Sequence, residues 1–170
     1  MGIRYYVFGF FTLLLTICAV CLTFSTTLHV SLEEVCPADI HFRKGVHFLS
    51  CDSLEEAENV FKEAIMCQPH FALNHYYLAE VYVRQGKFQQ AVVVYSRTIE
   101  LDPEFYPAFY NLGTLLGEVG EYRDAIALLN RAVVLNPSYI EAYHKLAQLY
   151  VETGDFSAAE KIYELVKEIE

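Results

Sequence analysis

The sequence predicts an all-α protein in which four helix-turn-helix repeats follow one N-terminal transmembrane helix. Pro69, Pro103 and Pro137 recur at an interval of 34 residues, and this period is typical of arrays of helical hairpins. Residues 5–24 contain no charged side chain, and about 20 apolar residues are enough to cross a bilayer as a helix. We therefore divide the chain into a membrane segment, residues 1–24, a linker, residues 25–37, and a repeat domain, residues 38–170.

Each repeat places the same small and bulky residues at helical spacing. The small residues form the column Ala57, Ala91, Ala125 and Ala159, and a bulky column follows four positions later at Phe61, Tyr95, Leu129 and Tyr163. Small residues let two helices approach closely, while bulky ones fill the space beside them. A turn glycine precedes each small residue except in the first repeat, where Asp52 takes its place. The pattern predicts repeats at 38–71, 72–105, 106–139 and 140–170.

Four short segments resemble the tetratricopeptide repeat family: Tyr110-Asn-Leu-Gly113, Gly120-Glu-Tyr122, Asp124-Ala-Ile126 and Leu135-Asn-Pro137. The resemblance implies a right-handed α-solenoid whose first helices line a concave surface that holds a segment of a partner protein. Where the family has tryptophan, this chain has His41, His75, Phe109 and Tyr143.

The N-terminal segment leaves two interpretations open. The apolar region of a cleaved secretory signal is usually about 7 to 15 residues, so the length of residues 5–24 favours a retained membrane anchor. Cleavage near Ser25-Thr-Thr27 would instead release a secreted, soluble protein.

Flanking charge predicts the orientation of the anchor. Arg4 precedes the apolar segment, whereas Glu33, Glu34 and Asp39 follow it before the next basic residue, Arg43. Basic residues stay on the cytoplasmic side of a membrane segment, so we expect residues 38–170 on the noncytoplasmic side: periplasmic, luminal or extracellular. The mitochondrial outer membrane, where some anchored repeat proteins face the cytosol, lies outside this rule.

Net charge and motifs restrict the function. The chain carries 12 Lys and Arg against 22 Asp and Glu, a formal charge of −10, which disfavours nucleic acid because an acidic surface gains nothing from counterion release. The sequence contains no nucleotide-binding loop and no nucleophile elbow, and its histidines show no metal-ligand spacing. We therefore expect neither enzyme activity, nor a cofactor, nor a metal site.

Two further features are candidates for chemistry or contact. Cys36 and Cys67 fall at the same end of the first predicted hairpin, so they could form a disulfide in an oxidising compartment, and the alternative is free thiols. In the last predicted helix Ile162, Leu165 and Ile169 form an apolar stripe that either folds inward or supports a homo-oligomer.

The family resemblance places the predicted peptide-binding groove on the first helices. One ladder of residues contains Phe42, Tyr76, Tyr110 and His144, and beside it lie Arg43, Tyr77, Asn111 and Lys145. Glu80, Glu118 and Glu152 follow one turn later. Pro107 and Glu141 stand where basic residues would clamp a C-terminal carboxylate in some members of the family.

Taken together, these residues predict a noncatalytic, membrane-anchored adaptor that binds peptide segments of partner proteins and helps assemble envelope or luminal complexes. The alternatives are a secreted, chaperone-like repeat protein and a regulatory subunit of an enzyme.

Overall fold

The computed structural model describes residues 38–169, which form eight α-helices joined by short turns. The helices are α1 Ala38–Ser50, α2 Leu54–Cys67, α3 Ala72–Arg84, α4 Phe88–Leu101, α5 Tyr106–Glu118, α6 Tyr122–Leu135, α7 Ile140–Glu152 and α8 Phe156–Ile169. Within these residues no helix combines the length and apolar character that a membrane crossing requires. The predicted membrane segment, residues 5–24, lies outside the described part of the chain.

The helices pair as antiparallel hairpins, and the hairpins stack in chain order. The hairpins are α1–α2, α3–α4, α5–α6 and α7–α8, and each second helix also packs on the first helix of the next hairpin. Each helix therefore contacts its neighbours in the sequence. This arrangement confirms the predicted all-α helical-repeat solenoid for the described residues.

Each hairpin turn uses one residue with left-handed backbone conformation. Gly86 has φ +72°, its amide donates to the Val83 carbonyl oxygen at 3.0 Å, and the following Lys87 amide donates to the Tyr82 carbonyl oxygen at 2.8 Å. This pair of bonds is the Schellman motif, which satisfies the last carbonyls of a helix. Asp52 adopts the same conformation, with φ +58°, in the first hairpin.

Small residues set the distance between the helices of a hairpin. Ala125 in α6 is fully buried, and a Cβ added to Gly113 in α5 would lie 3.1 Å from the Ala125 carbonyl oxygen and 3.0 Å from Leu129. The column of bulky residues is buried by the next hairpin: Leu129 belongs to a cluster with Leu146 and Leu149 of α7. The core is therefore continuous from one hairpin to the next.

An ion-pair cluster ties the first hairpin to the second on the surface. Glu58 in α2 accepts hydrogen bonds from Lys62 at 2.6 Å and from Lys87 at 2.8 Å. Partial burial opposes ionisation of Glu58, but the hydrogen bonds from Lys62 and Lys87 outweigh it and lower the pKa to about 2. Lys87 follows α3, so its bond to Glu58 crosses between hairpins.

Candidate functional site

The first helices of the hairpins line the inner surface of the stack. Besides the contacts along the chain, α1 touches α3 and α5 touches α7. A stack in which these alternate helices approach one another curves towards them, so α1, α3, α5 and α7 form its concave side. The eight predicted groove residues all belong to these helices.

At the N-terminal end of the concave side, Phe42 and Tyr77 belong to an aromatic cluster. Their rings meet edge to face with centroids 5.4 Å apart, and Tyr77 stacks on Phe61 at 5.7 Å with an interplanar angle of 8°. Phe61 is fully buried, while Phe42 and Tyr77 are half-buried. Both residues therefore support the core as well as lining the predicted groove.

The centre of the concave side contains a hydrogen-bonded group that we call the Glu80 node: Glu80, Tyr76, Tyr95 and Asn111. The Tyr95 hydroxyl donates to Glu80 Oε1 at 2.7 Å, and Asn111 Nδ2 donates to the same oxygen at 2.7 Å. Asn111 Nδ2 also donates to the Tyr76 hydroxyl oxygen at 3.0 Å. Asn111 lies in α5 and the other three in the α3–α4 hairpin, so the node joins two repeats.

Burial fixes the protonation state of the tyrosines in this node. Tyr95 is only 1% exposed, and burial followed by the charge of Glu80 raises its pKa well above the ordinary value. The same two causes raise the pKa of Tyr76. Both hydroxyls stay protonated at neutral pH and are fixed hydrogen-bonding groups beside the carboxylate.

A second aromatic cluster lies next to the node around Tyr139. Its ring meets Tyr110 at 5.0 Å and Tyr106 at 5.1 Å, both at steep interplanar angles. Burial, followed by the nearby Tyr110, raises the pKa of Tyr139 to about 12. On the other side of the node, Tyr76 contacts Phe105 at 5.1 Å. The half-buried Tyr76 and Tyr110 are thus held by neighbouring rings.

The three remaining groove residues are more accessible. Arg43 and His144 are exposed, and Lys145 is half-buried. Of the acidic residues predicted one turn further on, Glu118 and Glu152 are exposed, and Glu152 accepts a hydrogen bond from Gln148 at 2.8 Å. The polar ends of the concave side are therefore open to solvent, while its centre is aromatic and partly closed.

Sequence reasoning missed the partnership of Tyr95 with Glu80. It assigned Tyr95 to a packing column and Glu80 to a position one turn after the predicted groove residues. The signal was present, because Tyr95 is a hydroxyl-bearing residue in a column that holds Phe61 and Leu129, and a buried tyrosine hydroxyl usually has a partner.

The other predicted features have mixed outcomes. Cys67 is disulfide-bonded, but Cys36 lies outside the described residues, so the proposed pair stays a prediction. In α8, Ile162 and Ile169 pack against the core cluster that contains Val166, whereas Leu165 is 39% exposed. Within residues 38–169, no three His, Cys, Asp or Glu side chains converge as a metal site would require.

Comparison with known proteins agrees with this architecture. A tetratricopeptide repeat model matches residues 118–170, and a second model, described as TPR repeat, matches residues 80–120. The comparison with curated proteins gives no match.

Three solved structures illustrate the similarity of the fold. A crystal structure of MamA has a TM-score of 0.75 at 21% identity, covering 79% of this chain and 78% of that one. YrrB, described as a TPR protein with an unusual peptide-binding site, has a TM-score of 0.69 at 18% identity, covering 79% and 70%. A tetratricopeptide repeat protein from Parabacteroides merdae has a TM-score of 0.71 at 25% identity, covering 78% and 53%. The family models thus match tetratricopeptide repeats within residues 80–170, and the solved structures show that the described helices share this fold.

Proposed function

We propose that this protein is a noncatalytic scaffold that binds an extended or helical segment of a partner protein along the concave side of α1, α3, α5 and α7. Residues 5–24 anchor it in a membrane, residues 38–170 lie on the noncytoplasmic side, and the scaffold helps assemble envelope or luminal complexes. The similarity to YrrB, whose description includes a peptide-binding site, supports the peptide-binding part of this proposal.

The observation that carries the proposal is the row of pre-positioned aromatic side chains in the middle of the concave side. Tyr76 and Tyr110 are half-buried, and ring contacts with Phe105 and Tyr139 hold them in place. A rigid aromatic ring provides a large contact area at low entropic cost, and such rings are enriched among the residues that dominate binding energy. Solvent reaches the polar His144 and Arg43 at the ends of this row.

A photo-crosslinking experiment tests the binding surface directly. Photoreactive phenylalanine analogues are placed in the full-length chain at His144, on the concave side, and at Arg123, an exposed residue of the second helix α6. In native membranes we expect a discrete crosslinked protein from position 144 and none from position 123. The same product from position 123 alone would assign binding to the convex side and refute the proposed groove.

A matched pair of variants measures the contribution of the aromatic row. Once the crosslinked partner is identified, Tyr110→Ala should weaken its capture at least tenfold, about 1.4 kcal/mol, whereas Arg123→Ala should change it little. Unaltered helical circular dichroism of both variants is the control for folding. Equal capture by the two variants would exclude Tyr110 as a binding residue.

Topology has a separate test. A reporter that is active only outside the cytoplasm, fused at Glu170, should be active, because the basic flank of the anchor precedes it. Activity of the complementary cytoplasmic reporter at the same position would place the repeats on the other side.

A further inference from the structure

The two ends of the described stack expose helix faces that are buried everywhere else in it. On the first helices, three positions pack against the preceding hairpin and are at most 5% exposed in repeats two to four: Asn74, Leu78, Val81, Ala108, Leu112, Leu115, Ala142, Leu146 and Leu149. In α1 the same positions are Ile40, Lys44 and His47, all exposed, with Ile40 at 60%. We call these three residues the α1 face.

The last helix shows the corresponding change on its outer side. The bulky column is at most 1% exposed at Phe61, Tyr95 and Leu129, but Tyr163 in α8 is 44% exposed. Glu160, three residues earlier on the same side of the helix, is also exposed. Glu160 and Tyr163 form what we call the α8 face.

Contacts inside the stack show how these two faces would fit together. Between α6 and α7, Ile126 and Leu129 pack in one cluster with Leu146 and Leu149. The repeat relates Ile126 to Glu160 and Leu129 to Tyr163, and it relates Leu146 to Lys44 and Leu149 to His47. This cluster is apolar on both sides in the interior, whereas at the two ends of the stack the positions equivalent to Ile126 and Leu146 hold a carboxylate and an ammonium group.

From this complementarity we infer that the α8 face binds the α1 face of a second copy of the chain, head to tail. The second copy continues the stack in the way one hairpin follows another, with Glu160 opposite Lys44 and Tyr163 against His47. Within the stack, Glu58 in the column of Glu160 already forms a surface ion pair with the next hairpin, through Lys87 at 2.8 Å, so a glutamate in this column lies within reach of a neighbouring hairpin. Ile40 supplies the apolar part of the α1 face.

The geometry of this contact has a consequence for assembly. Two different faces meet, so every added copy leaves one free α1 face and one free α8 face, and the assembly grows as an open helical filament unless the rotation between copies closes it into a ring. A contact between two helices is small compared with stable interfaces, so the association is weak and depends on concentration. This inference is independent of the proposed groove, because it involves the outer sides of α1 and α8.

Charge exchange tests the inferred pair. Sedimentation velocity of the full-length chain in mild detergent should show a weight-average mass that rises with protein concentration. Lys44→Glu and Glu160→Lys should each weaken self-association at least tenfold, and the two changes combined in one chain should restore it. Arg131→Glu, an exposed charge change on α6, is the matched control and should have no effect.

Mixing two variants tests whether the contact is head to tail. Lys44→Glu disables only the α1 face, and Tyr163→Ala disables only the α8 face, so each variant alone should be monomeric. In an equal mixture, the intact α8 face of the first variant can bind the intact α1 face of the second. The mixture should therefore form a one-to-one dimer that has no intact face left for a third copy. Three results would overturn the inference: a monomer at every concentration, association unaffected by Lys44→Glu, or a mixture that stays monomeric. A monomer at every concentration would point to a face that is covered by other parts of the same chain. Association that Lys44→Glu does not affect would point to a symmetric α8–α8 dimer.

Discussion

Exchanging an alanine of the small-residue column for leucine gives a direct test of the helix interface. Ala125 is fully buried between α5 and α6, whereas Ala127, two residues further along the same helix, is exposed. Ala125→Leu and Ala127→Leu therefore make the same chemical change in the same helix. We expect Ala125→Leu to destabilise the protein and Ala127→Leu to leave its stability nearly unchanged.

The structure indicates how large the difference should be. A Cβ added to Gly117 would lie 3.8 Å from the Ala125 Cβ, and one added to Gly113 would lie 3.1 Å from the Ala125 carbonyl oxygen. The helices are in contact there, so the extra carbons of leucine must displace α5 or α7. Overpacking of this kind costs about 1 to 3 kcal/mol. A surface change without special contacts stays within about 0.5 kcal/mol, and alanine and leucine have similar helix propensities.

Urea and thermal denaturation followed by far-ultraviolet circular dichroism measure this difference. For a domain of this size a loss of 1 kcal/mol lowers the melting temperature by roughly 3 to 5 °C, so Ala125→Leu should melt roughly 3 to 15 °C below Ala127→Leu. The urea m-value should be equal in the two variants, because a changed slope would indicate that the array unfolds in parts. Equal midpoints would show that Ala125 is not at a tight helix interface.

Three further predictions use single side chains. Tyr95→Phe removes a hydrogen bond to the Glu80 carboxylate and should lower the free energy of unfolding, measured in urea, by about 1.5 to 3 kcal/mol. Because the pKa of Tyr95 is raised in the folded protein, its contribution to stability is fully present below about pH 10 and is lost as the pH rises further. The free energy of unfolding should therefore fall less steeply above about pH 10 in the variant. The pKa of Glu58 is lowered from 4.5 to about 2 in the folded protein, so its contribution to stability is present above pH 4.5 and is lost as the pH falls towards 2. Glu58→Gln should therefore reduce the fall in the free energy of unfolding at acid pH. Glu104→Gln, a change at an exposed residue, is the control for this effect. Asp52→Gly should stabilise the first hairpin by roughly 0.5 to 1 kcal/mol in the same denaturation assay, because glycine adopts the positive φ without steric cost, and a lower midpoint would contradict this.

The helical part of the fold was predictable because it depends on residues whose effect is local. Small and bulky residues at fixed spacing require helices that pack at fixed intervals, and a glycine marks the turn in three of the four repeats. At Asp52 the residue type departs from the repeat pattern, but the backbone conformation of the turn does not. The first repeat has aspartate in place of the turn glycine, and the structure retains the turn with a left-handed aspartate.

The central part of the candidate site could not be predicted in the same way. Whether Glu80 faces solvent or Asn111 depends on the distance between α3 and α5. These helices belong to different repeats, and the residue spacing within one repeat does not determine how far apart they lie. The same reason applies to α8. Ile162, Leu165 and Ile169 look like one stripe in the sequence, but Ile162 and Ile169 pack against the core cluster of the last hairpins and Leu165 stays 39% exposed.

One column of the repeat shows how a uniform fold acquires specific surfaces. Leu129 only fills space between two hairpins, as an interior position requires. Tyr95 fills the same space, but its hydroxyl reaches through to the concave side and fixes the carboxylate of Glu80 at 2.7 Å. Tyr163 is the same residue type at the end of the described stack, where no described hairpin covers it and 44% of it stays exposed. Tyrosine in this column therefore connects the core to the proposed groove in one repeat and leaves an exposed ring in another, so both proposals for this chain rest on positions where the repeat departs from its own pattern.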